Sequence, residues 1–167
     1  MHEKFLQVNT EHLILRMPQL DDVASVLAIE GHPDTNQFRV KIPVTNEQEA
    51  KETLHTWRNN WLESKFGYWA VVESITSEIV GFGGIRKENW QGSPVLNLYY
   101  GFSPDVWGRG YAQEMAETAL ELGKKHVPHV PVVARIQPIN KPSIRLAERL
   151  GLCHQPNLDS DHLMVFA

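Results

Sequence analysis

The chain has 167 residues, near the commonest size of one compact domain, and residues 1–167 are read as a single domain. With 42% hydrophobic and 22% charged residues, and with 11 Gly and 10 Pro, it is neither disordered, collagenous nor of low complexity. Its 16 basic and 20 acidic residues give a formal charge of −4, so the broad basic footprint of a nucleic-acid binder is missing and any phosphate binding must be local.

A chain of this length buries roughly 70% of its unfolded surface and needs no disulfide or structural metal to hold a core. The single Cys153 forms no internal bridge, so a cytoplasmic location is the expectation. The longest apolar runs, 68–72 and 163–167, are five residues each. That is far below the roughly 20 that span a bilayer. Met1-His2-Glu3-Lys4-Phe5 carries no signal-peptide apolar stretch, and neither membrane segment nor export is expected.

In chain order, residues 12–17 predict a short first strand bounded by Pro18. Val23, Val26, Leu27 and Glu30 take helical spacing after Asp21 and Asp22, acids that favour a helix start. Thr45 is the expected N-cap of a second helix to about Ser64, with Leu54, Trp57, Trp61 and Leu62 as its apolar side. Residues 68–73 and 79–86 read as an antiparallel hairpin, and 95–102 as a third strand after Gly92, Ser93 and Pro94. After Pro104, Ala112, Met115, Ala116, Ala119 and Leu122 form one helical stripe, with Glu114, Glu117 and Glu121 pointing away and Lys124 and Lys125 at the C-terminal end. A strand over 131–137 follows. Asn140 then caps a short helix with Pro142 in its first turn and Gly151 past its end, and 163–167 is a last strand. This order predicts an α/β fold with a mixed sheet.

The most informative stretch is 102–112, Phe-Ser-Pro-Asp-Val-Trp-Gly-Arg-Gly-Tyr-Ala, which joins a strand to a helix. Gly108 and Gly110 allow close backbone approach, and the first N–H groups of a helix lack intrahelical partners, which makes an anion site. On glycine spacing alone a tight turn requiring positive φ stands equally. No Lys-Ser or Lys-Thr follows Gly110, which excludes a P-loop, and Gln113 stands where a dinucleotide fingerprint needs Gly.

Trp107-Gly108-Arg109-Gly110-Tyr111-Ala112 followed by Glu114 resembles the acetyl-CoA pyrophosphate loop of the GNAT superfamily of N-acetyltransferases, whose pattern is Gln/Arg-x-x-Gly-x-Gly/Ala. Trp107 in place of the usual Gln or Arg is similar to the RimJ/RimL branch, which acetylates protein N-termini and various small amines. Leu13-Ile14-Leu15-Arg16, Gly67-Tyr68-Trp69-Ala70-Val71, Ile79-Val80-Gly81, Asn140-x-x-Ser143 and Leu150-Gly151-Leu152 agree with the family in order and spacing, over about Leu13 to Leu152.

The resemblance implies a GNAT-like fold, a mixed, V-splayed β-sheet flanked by helices. It also implies acetyl-CoA as co-substrate without a metal, and a primary amine as acceptor, either a protein N-terminus or a small molecule. Tyr100, Gly101 and Phe102 would offer main-chain groups to the pantetheine arm. Trp107, Gly108, Arg109, Gly110, Tyr111 and Ala112 would wrap the pyrophosphate. The splayed pair would be 95–102 and 132–137. Asn140 and Ser143 would lie near the sulfur; as a helix cap and a first-turn residue they have an equal structural reading.

The amine would attack the thioester directly, with a backbone N–H near Tyr100 stabilising the oxyanion. The family's frequent general-acid Tyr corresponds to Ala147 and its frequent base Glu to Asn97. That leaves Ser143 as proton donor and a water chain as base. The same two departures fit an acyl-CoA-binding sensor without turnover, and a purely structural turn is a third reading.

Other features carry less. Lys141, Arg145 and Arg149 lie four residues apart and suit the anionic nucleotide end of CoA, or a solvated basic face. His126-x-x-His129 brackets Pro128 and reads as a polar loop rather than a metal pair. Trp57 and Trp61 read as core rather than as a cleft wall, and Cys153 as a packed thiol. Oligomeric state is not readable from the sequence.

Overall fold

The computed structural model describes residues 3–39 and 42–167. Its elements are α1 (Glu3–Leu6), β1 (Gln7–Asn9), β2 (Leu13–Arg16), α2 (Val23–Glu30), α3 (Pro33–Asn36), α4 (Glu47–Ser64), β3 (Tyr68–Glu73), β4 (Ile79–Trp90), β5 (Ser93–Phe102), α5 (Tyr111–His126), β6 (Val132–Ile136), α6 (Lys141–Arg149) and β7 (Met164–Phe166). The seven strands form one sheet in chain order, antiparallel throughout except for the parallel pair β5–β6, which α5 connects. The predicted mixed α/β class is the observed one.

Helices cover both faces. Met115, Ala116 and Ala119 of α5 and Ala147 of α6 pack on Trp69, Leu96, Leu98 and Phe102. On the other face Val26 and Ile29 of α2 and Leu54 and Trp57 of α4 pack on Tyr68, Ala70 and Phe82. This explains why all six residues of β3 are buried instead of alternating, as expected for a strand sandwiched between layers.

The feature that positions the site is an incomplete ladder. β5 pairs with β6 at Leu96↔Val132, Asn97↔Val133 and Leu98↔Ala134 and no further. Its other edge stays paired with β4 as far as Gly81↔Phe102, and β7 holds β6 through Ile136↔Met164. Beyond Leu98 and Ala134 the two strands therefore diverge. Leu96 N–H donates to Pro131 O at 2.8 Å, whereas Ser103 N–H donates to Val80 O of β4, also at 2.8 Å. By the alternation of strand groups, the N–H of Tyr100 faces the opening left by β6.

Several expected details differ. The α4 cap is Asn46, not Thr45: Asn46 Oδ1 accepts the Glu49 N–H at 2.9 Å, while the N–H and Oγ1 of Thr45 donate to Glu49 Oε2 at 2.7 and 2.8 Å. Leu62 is 59% exposed, because it lies one position around from the Leu54–Trp57–Trp61 stripe. β4 and β5 extend to Trp90↔Ser93, because Gln91 and Gly92 take positive φ of 51° and 83° and close a two-residue turn. Cys153 is exposed rather than packed; its main chain exchanges hydrogen bonds with Ala167 at 2.8 and 3.0 Å. No described helix is long and apolar enough to cross a membrane.

Candidate active site

The segment between β5 and α5 makes a single 3-10 turn over Pro104–Val106 and then two left-handed steps, Gly108 at φ 78° and Gly110 at φ 81°. Both steps favour glycine. A Cβ at either position would meet nothing within 4 Å, so the loop borders open space. Gly110 supplies no side-chain cap to α5, and the first helical bond is Glu114 N–H to Gly110 O at 3.0 Å. The N–H groups of Tyr111, Ala112 and Gln113 thus head a 16-residue helix without intrahelical partners, a fixed array of donors for an anion.

Side chains of this loop brace it. Arg109 Nη1 donates to Glu73 Oε1 at 3.1 Å, and Tyr111 OH donates to the same oxygen at 2.6 Å. Thr76 Oγ1 reaches Glu73 Oε2 at 2.8 Å. The Tyr111 bond first, then those of Thr76 and Arg109, hold the Glu73 carboxyl below its ordinary range. A carboxylate at the end of β3 therefore fixes both flanks of the loop; no sequence motif pointed to it. Trp107 is half exposed, and its Nε1 donates to Phe102 O at 2.9 Å.

Glu114 corrects an expectation. Instead of pointing away, it accepts from the His12 N–H at 2.8 Å and from Thr10 Oγ1 at 2.5 Å, and its Oε2 lies 2.8 Å from His12 Nδ1. It thereby clamps the β1–β2 turn to the first turn of α5.

At the divergence of β5 and β6, Asn140 Oδ1 accepts the Ser143 N–H at 3.2 Å and caps α6. Ser143 is half-buried, and its hydroxyl lies against the Tyr100 phenol, whose pKa burial pushes up. Tyr100 and Ser143 are thus neighbours on the α5 and α6 face of the sheet. Ala147 is buried in the core. Lys141, Arg145 and Arg149 lie on the exposed side of α6.

The opposite face holds groups that local sequence did not reveal. Gly101 is buried, and a Cβ there would collide with Arg39 Nη2 and come within 3.1 Å of Glu30 Oε1 and of Tyr99 OH, so a side chain at this position would displace Arg39. Glu30 is 2% exposed; it accepts from Tyr99 OH at 2.6 and 2.8 Å and from Arg39 Nη1 at 2.6 Å. Asn97, also buried, donates to Tyr68 OH at 2.8 Å and accepts from Arg135 Nε at 2.9 Å. Trp57 and Trp61 are both core, and Trp61 Nε1 donates to Tyr68 O at 2.7 Å. His126 lies edge-on to the Phe5 ring at 5.8 Å, and His129 is exposed. Among the described residues no group of His, Cys, Asp and Glu is arranged to hold a metal ion.

A family model described as "Acetyltransferase (GNAT) domain" matches residues 12–152. Protein YkkB of Bacillus subtilis is 33% identical over 106 residues, 61% of this chain; the match spans only 62% of the length of that relative. N-acetyltransferase p20 of Bacillus licheniformis is 24% identical over 145 residues, 85% of this chain and 79% of its own. A GnaT-family acetyltransferase from Bordetella pertussis superposes with a TM-score of 0.81 at 22% identity, covering 96% of this chain and 98% of that one. Two other solved structures share the fold. RimL, a ribosomal L7/L12 alpha-N-protein acetyltransferase in complex with CoA, has a TM-score of 0.77 at 14% identity and 96% coverage of both chains. Spermidine N-acetyltransferase from Vibrio cholerae, in complex with CoA and spermine, has 0.73 at 13% identity and 94% of both. The family match spans the loop, both diverging strands and the helix that Asn140 caps, and the chain belongs to the GNAT acetyltransferase family.

Proposed function

We propose that the protein transfers an acetyl group from acetyl-CoA to a primary amine by direct attack, with no covalent enzyme intermediate. The observation that carries this reading is the uncapped N-terminus of α5 behind two positive-φ glycines, set beside the unpaired edge of β5.

Each part of the chain then has a task. The N–H groups of Tyr111, Ala112 and Gln113 take the pyrophosphate, with Arg109 acting through Glu73 to hold the loop. The open edge of β5 at Tyr100–Phe102 takes the pantetheine arm through the N–H groups of Tyr100 and Phe102, while Trp107 already occupies the Phe102 carbonyl. The Tyr100 N–H also faces the place where charge develops on the thioester oxygen. The Ser143 hydroxyl, backed by the protonated Tyr100 phenol, delivers a proton to the departing thiolate. Asn97 takes no proton, so water carries the proton from the amine. The acceptor is a protein N-terminal amine, as for RimL, or a small amine, as for spermidine N-acetyltransferase.

A second reading, an acyl-CoA-binding sensor without turnover, draws support from two observations: Asn97 is engaged by Tyr68 and Arg135, and Ala147 is in the core. The two readings share the cofactor site, which Gly110→Val tests. A branched residue at φ 81° is strained and crowds the ligand space. Calorimetric CoA affinity should fall by at least about tenfold while the melting transition remains cooperative. A folded variant that binds CoA like the wild type would place the phosphates elsewhere.

A further inference from the structure

On the α2 and α4 face of the sheet, Arg86 of β4 and Arg135 of β6 share one carboxylate, Glu88. Glu88 Oε1 accepts from Arg86 Nε at 3.1 Å and from its Nη2, and Oε2 accepts from Arg135 Nη2. Of the described carboxylates, Glu88 alone pairs with either arginine. Glu30 and Arg39 form a separate pair. Two guanidiniums therefore stand against one carboxylate, and the Tyr68 phenol between them adds no charge, because burial pushes its pKa up to about 12.

Arg135 is held on three sides. Its Nε is tied to Asn97 Oδ1 at 2.9 Å, its Nη2 to Glu88, and its plane lies 4.7 Å from the Trp90 ring centroid. Nη1 makes no hydrogen bond among the described residues. Asn97 matters here because an amide accepts from Arg135 without neutralising it, where a carboxylate would cancel the charge. The side chain is only 22% exposed, so the surplus charge is poorly screened and an incoming anion gains from it. Its position is specific: Arg135 is the first β6 residue past the last ladder pair, Leu98↔Ala134, so its main chain borders the opening between β5 and β6 while its guanidinium reaches back to Asn97 at the edge of that opening.

We infer that Arg135 binds a carboxylate of the acceptor, and that the acceptor is an amine carrying a carboxylate a few atoms from its nitrogen, the chemistry of an amino acid. This rests on the acetyl-transfer reading. The amine would enter from the face opposite α5 and α6, with its carboxylate on Nη1 of Arg135 and its nitrogen at the opening. A polyamine would meet the uncompensated guanidinium and be repelled.

Three amines with the same four-carbon chain separate the outcomes: γ-aminobutyrate, butylamine and putrescine, each assayed by thiol release from acetyl-CoA. The kcat/KM for γ-aminobutyrate should exceed the other two by about tenfold. Arg135→Gln should bring the ratio to butylamine down to about one. Asn97→Asp should do the same by neutralising Arg135 in place, which keeps the test decisive if Arg135→Gln folds poorly. Equal rates for the three amines, a preference for putrescine, or a ratio that survives both substitutions would overturn the inference. If none of the three amines releases thiol, calorimetry of γ-aminobutyrate into the CoA-saturated protein decides separately. Binding weakened about tenfold by Arg135→Gln supports the carboxylate site, and no binding removes it.

Discussion

At the scale of single residues, the hydroxyl of Ser143 and the imidazole of His12 make the sharpest claims. Ser143 shares its position with Tyr100 beside the open strand edge, and its own N–H is satisfied by Asn140. Ser143→Ala therefore leaves the cap intact and removes only the proposed proton donor. Steady-state kinetics should show kcat lowered by about 100-fold with little change in acetyl-CoA affinity. A loss confined to affinity would make Ser143 a binding residue, and no loss would leave it a first-turn residue of α6.

His12 offers a pH test of the clamp on α5. The hydrogen bond to Glu114 leads the causes that raise its pKa above 6.5. Burial opposes ionisation of Glu114, but the bonds from Thr10 and His12 outweigh it and hold that carboxyl below its usual value. A histidine whose folded pKa is raised stabilises the fold below its unfolded value and loses that contribution as pH rises through the folded one. The melting temperature of wild type relative to His12→Gln should therefore be higher near pH 6 and converge in mildly alkaline solution, about pH 9. A difference that does not vary with pH would show that the pair carries no linked charge.

Among the elements, α6 has the most separable role. Lys141, Arg145 and Arg149 are exposed on a helix whose cap, first-turn Pro142 and terminal Gly151 at φ 80° agree with the reading from sequence. If the helix receives the anionic nucleotide end of CoA, Arg145→Glu and Arg149→Glu should weaken CoA more than dephospho-CoA. The difference should shrink as salt rises, because exposed charges are screened. Equal losses for both ligands in a calorimetric comparison would remove these residues from 3′-phosphate recognition. The helices with strong period, α4 and α5, were legible in the sequence. The short α1, β1 and α3 were not, because three or four residues carry no period. The α4 start was read one residue early, since Thr45 and Asn46 are both good caps and only the reach of each to Glu49 separates them.

For the whole molecule, the alternation of periods foretold an α/β fold with a mixed sheet, and the family resemblance implied the flanking helices. The two loop glycines and the Asn140 cap marked where strand divergence meets helix starts. What sequence could not show are contacts between residues far apart in the chain. Glu73 meets Arg109 and Tyr111 across 36 and 38 residues, Glu30 meets Tyr99 across 69, and Asn97 meets Arg135 across 38. Each member of these pairs is an ordinary polar residue until the sheet assembles, and they define the loop brace and the polar cluster on the α2 and α4 face of the sheet. The central claim is that this assembly moves an acetyl group onto an amine. The direct measurement follows free thiol and acetylated amine together, with saturating acetyl-CoA and a panel of peptide N-termini, amino acids and polyamines. Acetyl transfer predicts amine-dependent thiol release matched mole for mole by new amide. A protein that binds acetyl-CoA yet releases no thiol above the amine-free rate with any member of the panel would contradict it.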